Sequence, residues 1–335
     1  MPHPIRRWAA PAIAAMLLVL AACSNGDAAT PAATPAADQI TTAYQLPENA
    51  YPESITADPR TGDIYASSFL TGAVYRAKPG ASQAETFLPA GTDGRRTANG
   101  VKVDAAGRLW VIDHTAGVAV YDTGTRALRA RFDEPATGNP FRNDLAITPD
   151  GSVYLTDSGR PVVYRIGPER IADAVAHGGH GGELQPYADL STAKNPAAQA
   201  PMTLNGIAAD TAGHYLLVVD MTNGDLYRVA LGAQPAVRQV ALRGGNALDG
   251  DGLELDADTL WIVHNKGNAV SRWHVTGDGA NAELQHRVTD PALDIPTSIV
   301  HAGGRALVTV SQFDKNGPYG PGTPAPFRIV EINRL

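Results

Sequence analysis

Six side chains carrying oxygen, Glu53, Asn99, Asn143, Asn205, Asp251 and Thr297, each open a copy of one short phrase. It runs from a polar residue and a small one, through an apolar alternation, to a Gly-containing turn and a second apolar run. The copies read ESITADPRTGDIYAS, NGVKVDAAGRLWVID, NDLAITPDGSVYLTD, NGIAADTAGHYLLVVD, DGLELDADTLWIVH and TSIVHAGGRALVTVS. Carboxylate and amide oxygens brought together are the ligands of a hard divalent cation, and calcium takes roughly six to eight of them with loose angular demands. Glu53 and Asp251 would balance the charge of such an ion. No His or Cys recurs at a repeat position, which disfavours zinc, copper and redox metals. Asn-Gly and Asp-Gly are also common turn formers, because both residues tolerate left-handed backbone, so a structural role for these dipeptides stays open beside the metal.

The spacing says what positions them. Successive leading residues are 46, 44, 62, 46 and 46 apart, and a period in the forties built of short alternating strands is that of an all-β six-bladed β-propeller, one four-stranded blade per repeat. In the second copy the pattern predicts strands over Val101 to Val103, Leu109 to Ile112, Gly117 to Tyr121 and Leu128 to Phe132. Antiparallel strands reverse direction at each turn, so the start of a first strand and the end of a second share one face of the disc, here the top. The leading residues should ring the central channel on that face. The second-strand ends, Asp113, His114, Asp157, Asp220, His264 and Gln312, should line its rim. The sixth copy supplies only three strands, and because a ring must satisfy its edges, Thr41 to Leu46 is expected to add the fourth and close it.

The long step carries two insertions. Gly167 to Gly182 reads as a Gly-rich loop on the bottom face, its His177 and His180 a loop feature rather than a ligand pair. Ser191 to Leu204 and Asp314 to Pro326 fall on top as candidate lids, where long loops tend to carry function. Ser67, Ser68 and Ser311 lack the Gly-x-Ser-x-Gly context of a nucleophile elbow. Trp110, Tyr154 and Trp261 hold equivalent second-strand positions and should pack between blades.

The chain divides into 1–23, 24–39 and 40–335. Arg6 and Arg7 precede an apolar run from Ala9 to Val19 too short to span a bilayer, the form of an export signal. Leu20-Ala21-Ala22-Cys23 resembles a bacterial lipobox, whose cysteine becomes the lipidated first residue. Cys23 is the single cysteine, so no internal disulfide is available. Residues 24–39 are rich in Ala, Thr and Pro and read as a flexible tether. Ser24 after the cysteine resembles lipoproteins sorted to an outer membrane, which places the domain on its periplasmic side, in contact with the membrane only through the lipid. With Lys+Arg 27 against Asp+Glu 34 and no basic run after the signal, nucleic acid is not expected as a partner. Expected instead are a small-molecule substrate or ligand and a monomeric state.

Residues 45 to 333 resemble the senescence marker protein/gluconolactonase superfamily, six-bladed propellers that include regucalcin and bacterial lactonases. Carrying the resemblance are Pro52-Glu53, Phe141-Arg142-Asn143-Asp144, Leu204-Asn205-Gly206 and Gly250-Asp251-Gly252-Leu253. It implies Glu53, Asn205 and Asp251 as ligands of a divalent cation, calcium by the donor set, with Asn143 a ligand or a hydrogen-bond partner of substrate. It also implies Asp251 as general base or nucleophile. Asn99, Asn143, His114 and His264 are then expected against the substrate, the histidines as proton relays. The activity implied is cation-dependent hydrolysis of a lactone or related ester in the cell envelope. The alternative is a non-catalytic propeller, stabilised by calcium, that binds a small ligand or a protein.

Overall fold

The computed structural model describes residues 39–135, 139–197 and 200–335; Cys23, the export signal and nearly all of the tether lie outside the described residues. Six sheets follow one another along the chain. Blade 1 is built from Pro52–Ala57, Ile64–Ser68, Val74–Ala77 and Glu85–Leu88, and blade 2 from Val101–Val103, Arg108–Asp113, Gly117–Asp122 and Leu128–Asp133. Blade 3 is Arg142–Ile147, Val153–Asp157, Val162–Ile166 and Gln185–Asp189; blade 4 is Leu204–Ala209, Tyr215–Asp220, Asp225–Ala230 and Val237–Gln239. Blade 5 is Gly250–Asp256, Thr259–His264, Ala269–Thr276 and Asn281–Thr289. In blade 6, Ile299–Ala302, Arg305–Val310 and Arg328–Asn333 come from the end of the chain. The outer strand is Gln39–Gln45, antiparallel to Arg328–Asn333, so the propeller is closed by its N-terminal strand.

Each sheet buries both faces, which is why the second strands read as near-continuous apolar runs; Tyr215–Asp220 is buried along its whole length. Six apolar clusters fill the six gaps between neighbouring blades. Trp110, Phe132, Leu155 and Ile166 join blades 2 and 3; Tyr44 and Ile329 meet Ile55 and Ile64 across the seam between blades 6 and 1. Fully burying a side chain of this size contributes about 1.5–3 kcal/mol, so closure is driven by blade-to-blade packing. Trp110 and Tyr154 lie in these cores as expected, whereas Trp261 is only half-buried, its ring 4.1 Å from that of His301.

The bottom insertion is more ordered than its glycines suggest. Pro168–Ala176 is a helix with Pro at its first turn, burying Ile171 and Ala174, one turn apart, against the core of blades 2 and 3. His180–Glu183 then adds to blade 2 as a fifth strand, parallel to Leu128–Asp133. His177 pairs with Asp173 on the helix, and His180 is exposed on the added strand. Among the described residues no helix is long and apolar enough to cross a membrane.

Candidate functional site

In four blades the inner strand carries a β-bulge, and each falls on a leading residue. Pro52 pairs with Ser68 but Ile55 with Ala66; Arg142 with Asp157 but Leu145 with Leu155. Leu204 pairs with Asp220 but Ile207 with Val218; Gly250 with His264 but Leu253 with Ile262. Three residues therefore span the space of two, and the extra one turns its side chain out of the pleat. The residues so placed are Glu53, Asn143, Asn205 and Asp251.

Hydroxyls on the second strands hold the bulges open. Ser67 Oγ accepts from Ser54 N at 2.9 Å, and Thr156 Oγ1 from Asp144 N at 3.2 Å. The same hydroxyls donate to the next blade, Ser67 to the Asn99 carbonyl at 2.6 Å and Thr156 to the Asn205 carbonyl at 2.5 Å. Ser67, set aside in sequence as lacking a nucleophile's context, is thus a stitch between blades. Glycine after the leading residue has an equally local cause, and it is not a turn. A Cβ on Gly100 would come within 2.9 Å of the Asn143 carbonyl oxygen and the Asp144 Cα, and one on Gly252 within 2.7 Å of the Thr297 carbonyl. Neither glycine has positive φ. Adjacent inner strands simply approach too closely for a side chain.

Glu53, Asn99, Asn143, Asn205 and Asp251 converge on the floor of one top-face cavity of about 420 Å³. Thr297, the sixth leading residue, is absent from it; its hydroxyl is engaged with Pro52 O, Thr309 and Ser311. A second ring, one residue beyond each second strand, braces the floor. Asn143 Nδ2 donates to Ser158 Oγ at 2.9 Å, Asn205 Nδ2 to Met221 Sδ at 3.3 Å, and Asn265 Nδ2 to Asp251 Oδ2 at 2.8 Å. His114 Nδ1 lies 3.1 Å from Asn99 Oδ1, its ring stacked on Phe141 (4.4 Å) and Phe69 (5.6 Å).

The rim expected from sequence was therefore one residue out of register; His114 has the right register but sits behind Phe69 and Phe141 and does not line the cavity. In a strand, neighbours point to opposite faces, and Asp113, Asp157 and Asp220 turn away from the cavity to accept backbone N–H groups of Arg96, Phe141 and Thr203. His264 shares that register. It is fully buried between Leu248 O at 2.8 Å and Ser271 Oγ at 2.7 Å and does not line the cavity. Burial holds its imidazole neutral, with a pKa pushed down to about 4. Above the floor stands a wall that sequence reasoning missed: Phe69, Phe141, Met221, Phe313, Pro318 and Tyr319. The available signal was the position after each second strand, which supplies Phe69 and Met221; Phe313 lies three residues beyond Arg305–Val310. Of the two expected lids, the 314–326 loop contributes Pro318 and Tyr319, and the 191–204 loop contributes Thr203.

The floor gathers carboxyl groups with no cationic side chain among its lining residues to balance their ionised form. Glu53 makes no hydrogen bond to a described side chain, and its pKa is raised well above the carboxylate range by burial and by Asp251 and Asp144. Asp251 is pushed up to about 8 by burial and by Asp144, against amide N–H groups of Asn265 and Asn205. Asp144 is itself raised by burial, with Lys102 opposing. Beside these carboxylates, Asn143 Oδ1 and Asn205 Oδ1 are buried with no donor. Buried acceptors left this way cost about 1–3 kcal/mol each. An all-oxygen set of two carboxylates and two orphan amide carbonyls fits a hard divalent cation. Among the described residues no three His, Cys, Asp or Glu side chains group for a metal, so any ion here depends on the two amides.

The sequence profile described as SMP-30/Gluconolactonase/LRE-like region matches residues 51–311, from the first blade's leading turn to the sixth blade's second strand. The chain belongs to that family. No curated protein matches the chain at a significant level. Among solved structures it is similar to a gluconolactonase from Xanthomonas campestris, at 18% identity with 88% of this chain and 89% of that one covered and a TM-score of 0.61. It is also similar to a calcium-binding regucalcin from Agrobacterium tumefaciens (17%, 87% and 92%, TM-score 0.60) and to a luciferin-regenerating enzyme (14%, 89% and 96%, TM-score 0.62). At these identities the likeness is one of fold, and chemistry must be argued from the site.

Proposed function

We propose that this SMP-30/gluconolactonase-family propeller is a divalent-cation-dependent hydrolase of a lactone or related ester, with calcium as the cation. The observation that carries the reading is the floor of the cavity, where two carboxylates and two donorless amide oxygens stand on four bulged strands and have no other work. The names of its structural neighbours, a gluconolactonase and a calcium-binding regucalcin, agree with it. Glu53, Asn143, Asn205 and Asp251 would hold the ion. When bound, the ion polarises the scissile carbonyl and stabilises the oxyanion formed on it.

The chain's own residues do the rest. Ser158 and Met221 occupy the amide N–H groups of Asn143 and Asn205, leaving their oxygens toward the cavity. Asn265 holds one oxygen of Asp251 and leaves the other for a proton. Asp251 takes that proton from the water that adds to the carbonyl carbon and returns it to the ring oxygen as the C–O bond breaks, so a hydroxy acid results and Asp251 is restored. The Phe wall and Pro318 and Tyr319 of the 314–326 loop line the space above the floor where the rest of the substrate would sit. His114 stands behind Phe69 and Phe141 and braces Asn99. Export and lipidation at Cys23, with the domain on the periplasmic side of an outer membrane, belong to the same proposal and rest on the first 24 residues alone.

The test is calorimetric titration of the chelated, dialysed protein with calcium, followed by a panel of lactones, aryl esters and phosphotriesters. One strong site, lost in Asn205→Leu, together with calcium-stimulated hydrolysis lost in Asp251→Asn, is the expected result. Tight calcium binding with no turnover across the panel would leave a binding propeller.

A further inference from the structure

We infer that the substrate is an apolar, aryl- or alkyl-substituted lactone or ester, and that polyhydroxylated sugar lactones are excluded. The inference rests on the hydrolase reading and concerns what lies above its reacting carbonyl. The upper cavity is walled by Phe69, Phe141, Met221, Phe313, Pro318 and Tyr319. The rings form one surface: Phe69 is 5.4 Å from Phe313 and 6.4 Å from Phe141, and Phe313 meets Tyr319 edge-on at 5.6 Å. Among the described residues no Lys, Arg or His lines the cavity.

The polar groups above the floor are few and partly occupied. Ser158 accepts from Asn143 and donates to the Leu204 carbonyl at 2.5 Å, so among the described residues the side-chain groups left above the floor to meet a hydroxyl are those of Asn139 and Thr203 and the single phenol of Tyr319. A sugar lactone brings several hydroxyls, and each one buried without a partner costs roughly tenfold or more in affinity. An aryl or alkyl group instead exchanges water for aromatic faces. The mouth continues the theme, since the large apolar side chains left exposed on the top loops are Leu70, Leu248 and Tyr319.

The test pairs two six-membered lactones in the presence of calcium, one bearing a phenyl or hexyl substituent and one being the glucose-derived 1,5-lactone. The apolar compound is expected to show a kcat/KM at least about tenfold higher, in line with what hydrophobic pockets discriminate. Equal or reversed preference would overturn the inference. Binding of the corresponding lactams, which resist hydrolysis, is measured separately. Binding of the apolar lactam at least about tenfold tighter than the sugar lactam, without lactone turnover, would sink the hydrolase reading and leave the ligand class standing. Equal binding, or none, would sink the ligand class whatever the turnover. Tyr319→Ala, on a part-exposed loop residue, and Phe313→Leu should each lower kcat/KM for the apolar lactone about fivefold and move the sugar lactone less than about twofold. A loss shared equally by both substrates would speak against a specificity wall.

Discussion

Gly100→Ala separates two explanations of the recurrent Asn-Gly pair by the sign of its effect. Gly100 has no positive φ, so on conformational grounds alanine is permitted and should stabilise by about 0.4–1 kcal/mol through the unfolded chain. The packing says otherwise. The new Cβ would stand 2.9 Å from Asn143 O, Asp144 Cα and Leu145 Cδ2, where ordinary contact begins near 3.4 Å, and two of the three obstacles are backbone. Blades 2 and 3 must part by about half an ångström, stretching the Gly100 N–H to Asn143 carbonyl bond now at 2.8 Å. Overpacking of this kind costs about 1–3 kcal/mol, which leaves a net loss of roughly 1 kcal/mol after the unfolded-state gain. For a domain of this size that is a fall in Tm of roughly 2 °C. The assay is urea and thermal unfolding of the calcium-free chain, with Gly267→Ala as control. Gly267 also lacks positive φ, but its nearest neighbours lie 3.4–3.8 Å away, so its variant should stay within about 0.5 kcal/mol of the parent. Calcium affinity should fall in Gly100→Ala as well, because the displaced backbone is that of Asn143. A Gly100→Ala protein as stable as the parent, or more so, would refute the close-approach explanation.

Asp251→Asn should lose at least about 10²-fold in kcat, the usual scale for removing a general base, while its unfolding midpoint without calcium stays within about 1 kcal/mol of the parent's. His264 gives a pH signature: its pKa, lowered by burial from 6.5 to about 4, means that between those values the unfolded chain takes up a proton the folded one refuses. Stability is whole above pH 6.5 and falls by up to about 3 kcal/mol by pH 4; His264→Gln should flatten that part of the profile, measured as the difference between the two proteins. Thr156→Val removes the hydroxyl that serves Asp144 N and Asn205 O and should cost about 1–3 kcal/mol in urea unfolding. Adding calcium at about a hundredfold its Kd should raise stability by about 2.7 kcal/mol in the parent, and Asn143→Leu or Asn205→Leu should reduce that increment.

The blades, their order and the donated closing strand were legible because repeat length and period-two patterning are properties of the sequence alone. So was the floor, since Glu53, Asn143, Asn205 and Asp251 occupy one phrase position and the fold brings that position to one place. What the phrase concealed was direction. A strand end and its neighbour point opposite ways, so His264 and Asn265 could not be told apart until the pairing of Gly250 with His264 fixed the register. The aromatic wall was hidden for a related reason: Phe69 and Met221 follow second strands as His114 does, but blade-specific residue types left no shared pattern to notice. The bottom helix was masked by the glycines that follow it, although Ile171 and Ala174 already had helical spacing.

The seam that completes blade 6 has a kinetic consequence. Gln39 meets Asn333 across 294 residues of chain, so the first strand to be made must wait for the last before it has a partner. Until then the apolar edge of an incomplete ring stays uncovered, a slow, high-contact-order step of the kind that invites aggregation. Chaperone dependence of the final folding phase, and its sensitivity to protein concentration, should accordingly track this one junction more closely than any interior blade.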